Sequence, residues 1–253
     1  MNIDSGLERC LTFINCHLHP ANAVAGPPPV GHWRAVTISR QAGSGAHAVA
    51  ETLAMHLQAH DQEHNGENRP WTVFDRNLVE TVLHDHHLPA RLSKFMPEDR
   101  VSQISDALDE ICGLHPPSAS LVDKMAETIL RLAELGNVIL IGRGAHIVTS
   151  RLNYVFHVRL VGSLEKRAEH IQKTQRLDRK AALSFIHHED MGRRRYLSKY
   201  YGKDIDDPLL YHMAINTDLI GHAQAAKIIA ESMFTTRRSS DRSTSTHEVS
   251  HAT

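Results

Sequence analysis

The sequence predicts an α/β fold, a parallel sheet covered by helices on both faces. Two observations carry this. Short, continuous runs of Val, Ile and Leu alternate with stretches of helical spacing, the pattern of strands buried on both sides. Each run also ends in small, polar or charged residues: Ser39-Arg40, Asp75-Arg76, Gly142-Arg143, Gly162-Ser163 and Asn216-Thr217. In a parallel sheet those ends share one edge, where ligands of open α/β sheets bind. Five ends out of five point to a shared site there.

The first strand is Ala35–Ser39. Gly43-Ser44-Gly45 turns the chain into a helix over Ala46–Ala59, with apolar Val49, Leu53, Met55 and Leu57. A polar loop, 61–70, leads to a second strand, Trp71–Phe74, ending at Asp75. Helical segments follow near 77–86, 98–113 and 118–135. Pro116-Pro117 separates the last two and Gly136 closes the third as a C-cap. Val138–Ile141 and Tyr154–Val161 are the third and fourth strands, and Ser163 caps the helix after the latter. A polar helix over Arg179–Tyr200, a strand at Met213–Ile215 and a helix over Gly221–Met233 complete the domain.

The folded domain is expected over 33–234. Residues 1–32 contain the run Ala25-Gly26-Pro27-Pro28-Pro29-Val30-Gly31, which fits neither helix nor central strand. The tail, 235–253, is mostly Ser, Thr, Arg and His and lacks the apolar surface to order itself. Both ends are expected to be disordered.

Lys and Arg number 28 against 29 Asp and Glu, a formal charge of −1. That balance excludes a general nucleic-acid or membrane-surface binder, so any basic site is local. Three cysteines build no disulfide framework, and no apolar run approaches a spanning helix. The expected compartment is the cytoplasm. Three histidine groups (Cys16-His17-x-His19, His84-x-His86-His87 and His187-His188) lack the paired spacing of a zinc site and read as solvated histidines.

Four groups carry chemistry. Gly43-Ser44-Gly45 lies between the first strand and its helix, where backbone N–H groups and a helix N-terminus cradle phosphate. A full P-loop continues Gly-Lys-Ser/Thr; here Ala46 stands at the lysine position, followed by His47 and Ala48. Arg40 or a lid arginine must then supply the charge. Arg143, between Gly142 and Gly144, suits a phosphate or an ion pair with an internal acid such as Asp75. Arg193, Arg194 and Arg195 form either a solvated face with i,i+4 pairs or a lid that brings cations onto a transferring phosphoryl group. Asp75 is the acid placed directly at a strand end. It either caps the following helix or acts on a sugar hydroxyl, a proton or a water-held Mg2+.

Several runs then fall in one order: Ile38-Ser39-Arg40-Gln41-x-Gly43-Ser44-Gly45, Phe74-Asp75-Arg76, Ile141-Gly142-Arg143-Gly144 and Phe156-His157-Val158-Arg159-Leu160. Arg194-Arg195-Tyr196, Tyr201–Pro208, Tyr211 and Ile215-Asn216-Thr217-Asp218 follow. Together they resemble the cytidylate kinase-like family from about Arg34 to Phe234. The resemblance implies a three-layer α/β/α fold of P-loop kinase type: a five-stranded parallel sheet, a helical acceptor-binding region and an arginine-bearing lid. It implies phosphoryl transfer from ATP, with Mg2+ as cofactor, to CMP or dCMP.

By position, Gly43, Ser44 and Gly45, with Ala46 and His47, hold the donor phosphates. Arg143 holds the acceptor phosphate beside Asp75 and Arg76, and Asn216 and Thr217 lie near the adenine. The catalytic charge falls to Arg40 and to Arg193, Arg194 and Arg195. No metal ligand is assigned beyond the phosphates and Asp75. Well-studied members of the family carry Gly-Lys-Gly-Thr at the turn and an Asp before the Gly-Arg of the third strand, where this chain has Ile141. A divergent branch also lacks the lysine. The expected partners are small-molecule nucleotides, with no nucleic acid and no membrane. A nucleotide-binding pseudo-kinase with a regulatory role and a kinase for another small acceptor are the other readings.

Overall fold

The computed structural model describes residues 33–65, 69–75 and 119–245. The expectations for residues 1–32, for helices near 77–86 and 98–113, for Arg76, and for the end of the tail lie outside them. The described chain runs β1 (Ala35–Arg40), α1 (Ala46–Asn65), β2 (Thr72–Phe74), α2 (Ala119–Leu135), β3 (Val138–Ile141) and α3 (Ala145–Val148). It continues with β4 (Val155–Val161), α4 (Leu164–Gln175), α5 (Arg179–Tyr201), a 3-10 turn (Pro208–Leu210), β5 (Met213–Asn216) and α6 (His222–Ser245). Among the described residues no helix is long and apolar enough to cross a membrane.

The five strands form one sheet in the order β2-β3-β1-β4-β5, with every neighbouring pair parallel. The chain moves to one side after β1 and crosses to the other after β3. A crevice therefore opens outside the carboxyl end of β1.

Side-chain alternation divides the strands between two helical layers. Val36, Ile38, Ile139, Ile141, Phe156, Val158, Leu160 and Ile215 face Val49, Leu53 and Leu57 of α1 and Ala226 and Ile229 of α6. Each fully buried Leu or Ile there contributes roughly 1.5–3 kcal/mol. On the opposite face Phe74, Val138, Leu140 and Val155 meet Met125, Ile129 and Leu132 of α2. Ala42, Ala168, Ile171, Ala182 and Ile186 form a smaller core under the α4–α5 pair.

The termini of these elements follow their sequence signals. Ser163 caps α4 by accepting a hydrogen bond from Lys166 N, and Asp178 does the same for α5 through Ala181 N. Gly136 closes α2 at φ 82, its N–H donating to Leu132 O at 3.2 Å. Helix α6 continues to Ser245, past Phe234, where composition placed the end of the folded domain. A helix satisfies its own backbone groups, so it can continue beyond the residues that pack on the sheet, such as Ile229 and Met233.

One face departs from the uniform apolar strands that the sequence suggested. Thr37, Ser39, His157 and Arg159 are all buried, and register pairs Thr37 with His157 and Ser39 with Arg159. Both pairs are bonded: Thr37 Oγ1 lies 2.8 Å from His157 Nδ1, and Arg159 Nη1 donates to Ser39 Oγ at 2.9 Å. Buried polar groups persist only when partnered in this way.

Burial pushes His146 down to about 3, helped by His157 and Arg159, and pushes His157 down to about 4, helped by His212. Both histidines are therefore neutral in the fold but take a proton in the unfolded chain below about pH 6.5. The unfolded state binds more protons between that value and about pH 4, so stability falls as pH drops through this window. The expected loss between pH 7 and pH 5 is of order 1–2 kcal/mol per histidine. Thermal melts across this range should show it, and a His146→Gln/His157→Gln double variant should flatten the profile.

Candidate active site

The turn from β1 into α1 is held by its own bonds and by the α4–α5 pair. Ser44 Oγ and Ser44 N both donate to Gln41 O, at 2.8 and 3.3 Å. Gly43 and Gly45 sit at φ 83 and 78, a region that side chains resist. A Cβ on Gly43 would come within 2.5 Å of Arg167 O, and one on Gly45 would strike the His222 ring. Ala42 N donates to Asp190 Oδ1 at 2.7 Å. Arg167, itself buried, donates from Nη1 to Asp190 Oδ2 at 2.7 Å and to Ala42 O at 3.1 Å, and from Nε to Gly162 O at 2.9 Å.

Beside the turn lies a cleft of about 230 Å3. Its wall combines Ser39 and Arg40 from the end of β1, Gly142, Arg143 and Gly144 from the end of β3, and Arg193 from α5. Gly142, Arg143 and Gly144 are all left-handed, at φ 87, 54 and 68. For Arg143 that conformation costs of order 1–3 kcal/mol, a strain typical of ligand sites. Gly142 is required for another reason, because a Cβ there would overlap the Arg40 guanidinium.

Burial lowers Arg40 to about 10, and Arg193 and Arg143 push it the same way, against Asp75 and Glu189. Three guanidinium groups thus share one small, partly buried volume. Such a cluster is complementary to an anion, above all to phosphate oxygens.

The lid arginines have separate surroundings. Arg193 donates to Glu189 Oε2 at 2.6 Å and to Asp190 Oδ1 at 3.0 Å. Arg194 reaches Asp206 Oδ2 at 2.7 Å, and Asp206 Oδ1 also accepts from Arg159 Nη2 at 2.8 Å. That carboxylate joins the sheet to α5. Arg195 is exposed and lines neither the cleft nor the small pocket next to it.

Asp75 lies 3.6 Å from His47, across the start of α1. Burial lowers His47, Asp75 opposes the shift, and Arg40 adds to it. Ala46 is buried against the core. Thr217 N donates to Val161 O at 2.8 Å, and Asn216 Oδ1 accepts from Asp218 N at 2.9 Å. Asp218 Oδ2 accepts from Ser163 N at 2.7 Å, and Gly162 N donates to Gln41 Oε1 at 3.0 Å. The ends of β4 and β5 are therefore laced to each other and to the glycine turn. Of the histidine groups, His187 and His188 are exposed on α5, His188 at the cleft rim, and the other two lie outside the described residues.

Sequence reasoning assigned no role to Asp190, Arg167, Asp206, Tyr211, His146 or His222. Tyr211 donates to Ile205 O at 2.8 Å and lies 3.3 Å from both Ser39 Oγ and His146 Nε2. The alternation Thr37-x-Ser39 and His157-x-Arg159 was the available signal for a polar layer. Asp190 and Arg167 carried none, because their contacts span 148 and 125 residues.

Comparison with known proteins places this architecture. A protein from Eubacterium ventriosum of uncharacterised function is 17% identical, with a TM-score of 0.54, over 80% of this chain and 98% of that one; it shares the fold. A shikimate kinase from Bacteroides thetaiotaomicron is 12% identical with a TM-score of 0.42, over 79% of this chain and 95% of that one. A gluconokinase from Sinorhizobium meliloti is 14% identical with a TM-score of 0.39, over 80% of this chain and 96% of that one. No curated protein matches the chain. The model of the cytidylate kinase-like family matches residues 35–219, which takes in the whole sheet, the glycine turn, Arg143 and the arginine-bearing helix α5. The chain belongs to the cytidylate kinase-like family.

Proposed function

We propose that this kinase-like phosphotransferase moves the terminal phosphoryl group of MgATP to CMP or dCMP, in the cytoplasm. The observation that carries the reading is the convergence of Arg40, Arg143 and Arg193 on one cleft beside the glycine turn. Such transfer needs positioning and charge neutralisation more than a covalent group. The donor phosphates would lie on the turn at Gly43, Ser44 and Gly45, with Ala46 and His47 at the helix start. Mg2+ would enter with the ATP, and Asp75, at the end of β2, stands 3.6 Å from His47 at the helix start. Arg143 would hold the acceptor phosphate. One of its oxygens would attack the terminal phosphorus as the bond to the bridging oxygen of ADP breaks. Arg40 and Arg193 would face the charge on the three equatorial oxygens.

A coupled assay with MgATP and CMP, dCMP, UMP or AMP tests the reading. The expected result is turnover fastest with CMP or dCMP; background rates with all four would overturn it. Arg143→Ala should raise the acceptor KM by about a hundredfold, the loss of a bidentate charge-assisted contact, in a chain that still folds and melts cooperatively. A normal KM in that variant would remove Arg143 from the acceptor site.

A second reading, nucleotide binding without transfer, is favoured by Ala46 at the lysine position and by the Ala42 N–H already bonded to Asp190. Calorimetry giving tight, Mg2+-independent ADP binding in a chain without turnover would select it.

A further inference from the structure

The turn lacks a lysine, but a different cation-forming group rests on it. His222, the first residue of α6, packs its ring directly over Gly45; its Nε2 is the atom that a Cβ at Gly45 would meet first. His170 of α4 meets it edge to face, with ring centroids 5.4 Å apart and planes at 87°. Two imidazoles from two helices therefore stand at the turn, and neither lines the neighbouring cleft of Arg40, Arg143 and Arg193.

We propose that His222 supplies the cation for the donor phosphates at this turn, in place of the lysine absent at position 46, by taking up a proton as nucleotide binds. The proposal rests on the reading of the turn as the donor-phosphate site.

The groups facing His222 set the order of events. His170 stands against it from α4, with Lys173 near His170. Burial pushes His170 down, and His222 and Lys173 push the same way. The turn itself presents backbone N–H groups, and the first turn of α6 adds positive partial charge. A phosphate at the turn reverses the field, and imidazole is the side chain whose charge changes near neutral pH. Proton uptake and anion binding are then linked, each favouring the other. A lysine would hold its charge with or without nucleotide, whereas His222 gives an affinity that depends on pH.

Calorimetric titration of the full chain with MgADP from pH 6 to pH 8.5, in buffers of different ionisation enthalpy, tests this. The expected result is binding about tenfold tighter at pH 6 than at pH 8, with proton uptake, within the limit of one decade per pH unit for a single proton. Protonation of ADP itself acts in the opposite direction. His222→Gln should weaken binding and bring the change with pH below about twofold, while His222→Lys should bind tightly throughout. His47→Gln, which removes the other histidine beside the turn, should keep the slope. A slope that survives His222→Gln, or that vanishes in His47→Gln, overturns the proposal. MgADP binding by the wild type with no pH dependence overturns it alone. No MgADP binding at any pH overturns the functional reading, and this proposal with it.

Discussion

Arg40→Met is expected to lower kcat by about a thousandfold and at the same time to raise the melting temperature. The two effects have one cause. Arg40 is half-buried at the end of β1, beneath Gly142, with Arg193 and Arg143 pushing against its charge. Its shift from 12.5 to about 10 corresponds to about 3 kcal/mol held against the free protein. A methionine of similar length fills the space without that charge. For a domain of this size about 3 kcal/mol is worth roughly 6–12 °C. The transition state loses the same cation, and one such cation is typically worth three or more decades of rate. Sites that store unfavourable charge for a reaction commonly show this exchange of stability for activity. Phosphate in the buffer sharpens the test, because it should stabilise the wild type by binding between the arginines and leave Arg40→Met nearly unmoved. A destabilised variant, or one retaining a tenth of the wild-type rate, would show that Arg40 is structural.

That coupling was legible in the sequence only in part. The strand order could not be read there, but the strands could, because buried parallel strands leave continuous apolar runs such as Val138–Ile141. Their polar ends at Ser39-Arg40 and Gly142-Arg143 marked the edge where the cleft opens. Local signals worked wherever the physics is local: the glycines at φ 83 and 78, the Ser163 cap and the Gly136 helix end. They failed where a side chain is defined by a distant partner. Asp190 reads in sequence as one more acid on a polar helix, and Arg194 as one of three equivalent arginines. In the structure Asp190 is bonded to Ala42 and Arg167, and Arg194 to Asp206, while Arg195 faces outward. Helical periodicity cannot separate three adjacent arginines until the packing of α5 is known.

Asp190→Ala is therefore expected to be the most destabilising single change near the site, at about 3–5 kcal/mol, or roughly 10 °C in the melting temperature. Its carboxylate accepts from Ala42 N at 2.7 Å, from Arg167 at 2.7 Å and from Arg193 at 3.0 Å. Truncation strands the Arg167 guanidinium, whose side chain is only 9% exposed, beside an Ala42 N–H that loses its acceptor. Breaking a buried pair from one side costs far more than the pair itself contributes. Asp190→Asn separates the two losses. Its amide oxygen can still accept from Ala42 N, but it carries no charge for Arg167, so an intermediate melting temperature is expected. Arg167→Met in the Asp190→Ala background should recover stability, because it removes the stranded charge. If that double variant melts no higher than Asp190→Ala alone, the cost lies in the turn rather than in the ion pair. The nucleotide affinity of the double variant then reads the turn itself. With α4 and α5 no longer clasping Ala42 through charge, the positions of Gly43 and Gly45 rest on their own hydrogen bonds. MgADP should bind more weakly even where stability has returned.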